Sequence, residues 1–173
     1  MKDVSINTIT SYINYLLESF LIEKAQRYDV KGKQYISTPS KYYFSDIGLR
    51  NARLNFRQQE EEHIMENIIY NELLYRGYNV DVGVVEIREN NMRKQTEIDF
   101  VCNQTDKRYY IQCALSLPTR EKTLQEERPL MNINDNFKKI IIVKDNIKSW
   151  MTEEGISVIG IQEFLLNKDS LFI

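Results

Sequence analysis

Several features that would assign an enzyme class directly are scarce in this 173-residue sequence. The only histidine, His63, falls in the first turn of a predicted helix, and no nucleophile-elbow motif is present. A serine or cysteine triad needs a histidine base beside an exposed nucleophile, so that chemistry is excluded. The GxxxxGK[ST] motif is also missing, since Gly32 and Lys33 stand in a predicted turn without the upstream glycine. No ATP site is expected.

Cysteines and long apolar runs are equally scarce. The two cysteines, Cys102 and Cys113, stand in separate apolar β-like runs rather than in a CxxC pair. This spacing favours reduced, buried thiols in a cytosolic protein over a disulfide or a metal site. No run reaches the length of a membrane span, and the N-terminus has no apolar signal segment. We therefore expect a cytoplasmic protein without a membrane partner.

Charge of one sign does not dominate the chain. A formal net charge of −2 makes no whole-chain case for nucleic acid. The balance is uneven, however, with about +3 over residues 1–56 and about −5 over residues 57–173. The basic residues Arg27, Lys31, Lys33 and Lys41 surround a predicted hairpin and are candidate nucleic-acid contacts. A solvated hairpin decorated with lysines gives the same pattern.

Apolar periodicity in the first third predicts a helix, a hairpin and a short helix. The segments are a helix over 5–20, strands over 21–28, 33–37 and 41–44, and a helix over 45–53. A helix followed by a hairpin with a basic turn is typical of the latter half of a winged helix. We interpret residues 1–56 as a partial winged-helix domain.

The remaining residues, 57–173, predict an α/β domain with the order α-β-β-β-α-β, followed by a further strand and helix. The segments are a helix over 59–76, strands over 78–87, 96–102 and 108–115, a helix over 119–131, strands over 139–143 and 156–159, and a helix over 161–167. Because a turn of about five residues cannot form a parallel crossover, the strands over 96–102 and 108–115 should be antiparallel neighbours.

Acidic residues gather in one predicted strand. Period-two alternation places Glu97 and Asp99 on one face of the strand and Ile98 and Phe100 on the other. Glu66 lies on the preceding helix. Carboxylates that converge from a helix and a strand can hold Mg²⁺, so Glu66 and Asp99 are candidate metal ligands. A solvated strand face and ordinary helix surface charge are the alternatives.

These residues resemble the PD-(D/E)xK nuclease core. More narrowly, four stretches resemble the C-terminal regions of prokaryotic AAA-type P-loop ATPases, a domain of unknown function: 41–50 (KYYFSDIGLR), 66–78 (ENIIYNEL with RGY), 97–101 (EIDFV) and 110–114 (YIQCA). The resemblance covers nearly the whole chain. It implies an ATPase module, then a winged helix, then a nuclease-like mixed sheet flanked by helices. It also implies that this chain is the C-terminal piece of a longer protein whose ATPase module is its partner, with DNA as a further partner.

The sequence departs from the nuclease pattern at two positions. Gln112 stands at the position of the motif's second acid, and Ala114 stands at the position of its lysine. A neutral amide is a weaker Mg²⁺ ligand, and alanine supplies no charge, so a rate loss of several orders of magnitude is expected. Glu66, Asp99, Gln112 and Ala114 are then residual positions rather than catalytic ones. Lys122, on the following helix, is the candidate for a relocated lysine.

Three functions remain open from the sequence. The favoured one is a non-catalytic nucleic-acid- or protein-binding region of an AAA-type ATPase, with no cofactor. The rival is an active Mg²⁺-dependent DNA endonuclease with a relocated lysine. The third is a structural oligomerisation module, which would show an apolar patch and no acidic cleft.

Overall fold

A computed structural model describes residues 4–57, 60–89 and 92–172 of the chain. Within these ranges the elements follow in the order α1 (Ile6–Glu18), β1 (Ile22–Asp29), β2 (Gln34–Phe44), α2 (Ile47–Arg53), α3 (Glu61–Tyr75), β3 (Asn79–Glu89), β4 (Met92–Gln104), β5 (Lys107–Ala114), α4 (Arg120–Met131), β6 (Lys138–Val143), β7 (Trp150–Met151), β8 (Ser157–Gly160) and α5 (Ile161–Leu166). The predicted mixed α/β class, with a sheet flanked by helices, is confirmed.

All eight of these strands form one mixed sheet in the order β2-β1-β3-β4-β5-β6-β8-β7. β4 and β5 are antiparallel, with Phe100 opposite Ile111, which confirms the prediction for this pair. The hairpin of β1 and β2 joins the same sheet, because β1 runs parallel to β3 with Arg27 opposite Val82. The two predicted units, 1–56 and 57–173, therefore share a continuous sheet. The strands predicted over 33–37 and 41–44 are parts of the single strand β2.

Two hydrophobic cores lie on opposite faces of the sheet. On one face, α3 contributes Ile69 and Leu73, and α5 contributes Phe164. On the other face, α4 contributes Leu130 to a separate core. Cys102 and Cys113 are both buried free thiols, as the sequence predicted. In the part of the chain that the structure describes, no helix has both the length and the apolar content needed to cross a bilayer.

A β-bulge interrupts β4 at the candidate acid. Between the pairs Asp81–Val101 and Gly83–Ile98, β3 advances by two residues while β4 advances by three. Because of the additional residue in β4, the side chains of Ile98 and Phe100, two positions apart, point to opposite faces of the sheet. Ile98 packs in the core under α4, whereas Phe100 packs in the core under α3. The predicted alternation, which put these two side chains on the same face, is therefore wrong.

Candidate functional site

Asp99 sits at the bulge with its side chain only 15% exposed. Its Oδ2 accepts a hydrogen bond from the main-chain N–H of Cys113 at 2.8 Å, which ties the carboxylate to β5. Burial, followed by the negative charge of Glu66, raises the pKa of Asp99 to about 7. The charge of Lys41 and the hydrogen bond from Cys113 oppose that rise, and the charge of Glu126 adds to it. Asp99 therefore gains and loses its proton near neutral pH.

Lys41 enters this site from β2, where its backbone pairs with Ala25 of β1. Its Nζ lies 3.0 Å from Glu66 Oε1, 3.5 Å from Glu97 Oε2 and 3.9 Å from Asp99 Oδ1. We call these three carboxylates the acid cluster. Burial lowers the pKa of Lys41, but the charges of Glu66 and Asp99 outweigh it, so that the pKa is raised. The ammonium group stays charged and neutralises part of the cluster.

Two further side chains hold the acid cluster in place. The hydroxyl of Tyr43 donates to Glu66 Oε1 at 2.5 Å, and its ring stacks on Tyr70 with centroids 4.0 Å apart. Burial and the charge of Glu66 raise the pKa of Tyr43, which keeps the phenol a donor. On the other side, the Arg27 guanidinium forms an ion pair with Glu97. Each carboxylate of the cluster thus has a hydrogen-bond donor or a cation of its own.

Gln112 and Ala114 belong to the α4 side of the sheet. Gln112 Nε2 donates to Glu126 Oε2 at 3.3 Å, while its Oε1 is buried without a hydrogen-bond partner. Lys122, the lysine predicted as relocated, pairs with Glu126 one turn further along α4. Ala114 is 3% exposed in the core beside Val143. A lysine at that position would place its charge among apolar side chains.

The structure brings together some of the predicted site residues and separates others. Glu66, Glu97 and Asp99 all lie around the Lys41 ammonium group. The predicted basic set divides, since Arg27 and Lys41 contact the acid cluster while Lys31 and Lys33 lie at the hairpin turn. Sequence reasoning had assigned Lys41 to nucleic acid, and it did not single out Glu126 or Tyr43. No sequence signal links Lys41 with Glu66, because they are 25 residues apart and belong to different elements.

The Lys41 ammonium group lies among the oxygens that would have to hold a divalent metal ion. The Lys41 ammonium contacts one oxygen of each of the three acids, which is the position from which a cation would neutralise them. Among the described residues, no three Asp, Glu, His or Cys side chains come close enough together to hold a metal ion. Mg²⁺ also requires near-octahedral oxygen ligands. Gln112 offers only a neutral amide oxygen.

Comparison with known proteins finds two family models, one curated protein and one solved structure that are similar to this chain. Residues 1–60 match a domain of unknown function (DUF8612), and residues 61–164 match a second one (DUF4143). An uncharacterised protein of Haemophilus influenzae is 37% identical over 163 residues, which cover 94% of this chain and 38% of that protein. The crystal structure of protein VC1899 from Vibrio cholerae aligns with a TM-score of 0.44 at 12% identity, covering 98% of this chain and 44% of that one. The chain thus spans less than half the length of either protein, and through residues 61–164 it belongs to the DUF4143 family.

Proposed function

We propose that this chain is a non-catalytic binding region of an AAA-type P-loop ATPase. In this proposal it consists of a partial winged helix followed by a degenerate PD-(D/E)xK nuclease-like domain. The single observation that carries the proposal is the position of Lys41, whose ammonium group is shared by Glu66, Glu97 and Asp99. Because the Lys41 ammonium group neutralises part of the negative charge of these carboxylates, little charge remains to bind a metal ion.

The neighbouring strand supports the same conclusion. A nuclease of this type needs a second acid and a lysine on that strand, to hold the metal and to stabilise the charge of the transition state. Gln112 and Ala114 supply neither group, and Gln112 uses its amide N–H to bind Glu126. What remains is the framework of the site, stabilised by internal ion pairs.

The first prediction is that the unmodified chain does not nick supercoiled plasmid DNA in Mg²⁺ or Mn²⁺. Asp99→Ala, purified in parallel, should give the same background, since no activity depends on this carboxylate. The rate of nicking by each protein is measured by quantifying the nicked plasmid on gels over several hours. Nicking by the parent that Asp99→Ala abolishes would overturn the non-catalytic proposal.

One observation favours the rival, a Mg²⁺-dependent DNA endonuclease with a relocated lysine. A lysine does lie near the candidate acid, but it is Lys41 from β2, with Nζ 3.9 Å from Asp99 Oδ1. Lys122 binds Glu126 instead. In the rival, Lys41→Ala and Asp99→Ala would each abolish nicking. In the proposed function, neither substitution changes the background.

The proposed partner is the ATPase module of the same longer protein, and α1 offers a surface for it. No residue of this helix is buried, although its apolar residues recur at helical spacing. Ile6 is 82% exposed, Ile9 49% and Leu16 40%. Glu18 is the only charged residue between 4 and 21. The long uncharged stripe suits an apolar surface of another module, and the Haemophilus relative has 62% of its length outside the matched region available to supply one.

The second prediction tests this docking surface. The unmatched part of the Haemophilus relative, produced as a separate polypeptide, should bind this chain in titration calorimetry. Ile6→Asp with Ile9→Asp should weaken the binding at least about 100-fold, because two buried aliphatic side chains contribute about 1.5–3 kcal/mol each. Leu166→Asp on α5, where the side chain is 86% exposed, is the matched control and should have no effect.

Two results would contradict the docking proposal. The first is equal weakening by the α1 variant and by Leu166→Asp. The second is self-association of the chain through α1, detected by light scattering and removed by the same double substitution. That second result would favour the oligomerisation module over the ATPase partner.

A further inference from the structure

The turn between β1 and β2 carries two lysines, Lys31 and Lys33, and is closed by hydrogen bonds to Asp29. Asp29 Oδ1 accepts hydrogen bonds from the main-chain N–H groups of Lys31 at 3.1 Å and Gly32 at 2.9 Å. Lys33 follows at a φ of +52° and is exposed. Lys31 donates one of its three N–H groups to the main-chain carbonyl of Glu86 at 3.0 Å. The contact with Glu86 places the Lys31 ammonium group, and both lysines lie at the turn, away from the acid cluster.

A cleft of about 420 Å³ opens beside this turn. Lys31, Lys33 and Arg108 line it together with Phe137, and Asp135 contributes its one carboxylate. That carboxylate already accepts hydrogen bonds from the Tyr110 hydroxyl at 2.6 Å and from the main-chain N–H of Phe137 at 3.2 Å. Three cationic side chains and one carboxylate thus line the cleft, and Arg108 also donates to Asn103 Oδ1 at 2.7 Å. The cleft favours an anionic ligand.

Planar side chains form a row along the same surface. The Arg108 guanidinium lies over the rings of Tyr28 and Phe137, 5.5 Å and 5.4 Å from their centroids. Tyr28 contacts Tyr35 edge to face at 5.4 Å. The two outer members remain accessible, with Phe137 43% and Tyr35 60% exposed. An exposed ring next to cations offers a stacking surface for an aromatic base.

The geometry points to this cleft as a binding site for single-stranded nucleic acid, with phosphates on Lys31 and Lys33 and a base stacked on Phe137. Cations that follow a backbone beside an exposed aromatic ring are how proteins bind single strands without reading their sequence. A duplex keeps its bases stacked on one another, so it can use the lysines but not the ring. This inference deepens the proposed binding function. It is independent of the plasmid assay, because the chain can fail to bind single strands and still be non-catalytic.

The test is fluorescence anisotropy on the full chain with three labelled probes: a twelve-nucleotide oligo(dT), the matching oligo(U), and a twelve-base-pair duplex. The two phosphate contacts, on Lys31 and Lys33, predict a roughly seven-fold loss of single-strand affinity between 50 and 200 mM KCl. Lys33→Glu should weaken binding of all three probes about ten-fold. Phe137→Leu, which keeps an apolar side chain but removes the π-face, should weaken the single strands about ten-fold and the duplex less than two-fold.

The matched control is Lys148→Glu, which makes the same change of charge at an exposed lysine outside the cleft. It should change each affinity less than two-fold. The inference is overturned if Lys148→Glu weakens binding as much as Lys33→Glu, if Phe137→Leu has no effect on single strands, or if it weakens the duplex equally. Tighter binding of oligo(dT) or of oligo(U) supports the site and tells whether DNA or RNA is its ligand.

Discussion

Asp99→Asn should remove most of the pH dependence of stability between about pH 4 and pH 7. In the folded chain, burial and the charge of Glu66 raise the pKa of Asp99 to about 7, against about 3.9 in an unfolded chain. The folded state therefore holds a proton that the unfolded state has lost, and the free energy of unfolding falls as pH rises through this window. A difference of three pKa units corresponds to about 4 kcal/mol.

The asparagine is neutral at every pH and keeps an oxygen that can accept from the Cys113 N–H. We expect the variant to match the parent at pH 4 and to be more stable by about 2–4 kcal/mol at pH 8. Urea unfolding at a series of pH values measures this difference. Asp106→Asn, at an exposed turn position, is the control and should leave the slope unchanged. If the parent's slope persists in Asp99→Asn, another group carries the pH dependence.

Lys41→Met should cause the largest loss of stability among substitutions of the acid cluster and the side chains that contact it. Removing the ammonium leaves three carboxylates close together without their shared cation, and breaking a buried ion pair from one side costs about 3–5 kcal/mol. The Lys41 side chain is 29% exposed, so we expect a loss of about 2–4 kcal/mol at pH 8. The loss should shrink at pH 5, because Asp99 then takes up a proton and relieves the repulsion.

A second readout separates charge from packing in this experiment. Lys41 holds the pKa of Asp99 down, so carboxyl NMR of Lys41→Met should show that pKa above its value in the parent. The matched control is Lys144→Met, which breaks the exposed pair with Glu61, 2.7 Å across, and should cost less than about 1 kcal/mol. Equal losses for the two variants, or an unchanged Asp99 pKa, would contradict the assigned role of Lys41.

Local sequence signals predicted most of the elements. The predicted helix over 59–76 is observed as Glu61–Tyr75. Asp46 and Thr119 both cap helices, accepting from the main-chain N–H groups of Leu49 at 2.7 Å and Lys122 at 3.2 Å. The antiparallel pairing of β4 and β5 followed from the short turn between them. These features depend on a few neighbouring residues, which is why sequence spacing is enough to predict them.

Features that depend on partners far apart in the sequence were not predicted. The two-residue strand β7 was not predicted, because it has no periodicity of its own and exists through its pairing with β8. The bulge in β4 arises from the register against β3, and a period-two pattern contains no signal for it. For the same reason the pairing of β1 with β3, which adds the hairpin of β1 and β2 to the sheet, was not predicted.

In the candidate site, too, some features follow from the sequence and others only from the tertiary structure. The sequence by itself determined which acids are available and that positions 112 and 114 carry a neutral amide and a methyl group, because those are statements about residue type. Only the tertiary structure decided that Lys41 is the counter-ion of the acid cluster, while Lys31 and Lys33 lie at the far end of the hairpin. A lysine's charge is the same in either place. Its role is set by which carboxylates the sheet brings within about 4 Å of it, a distance at which two opposite charges near a protein surface attract by about 4 kcal/mol before desolvation is counted.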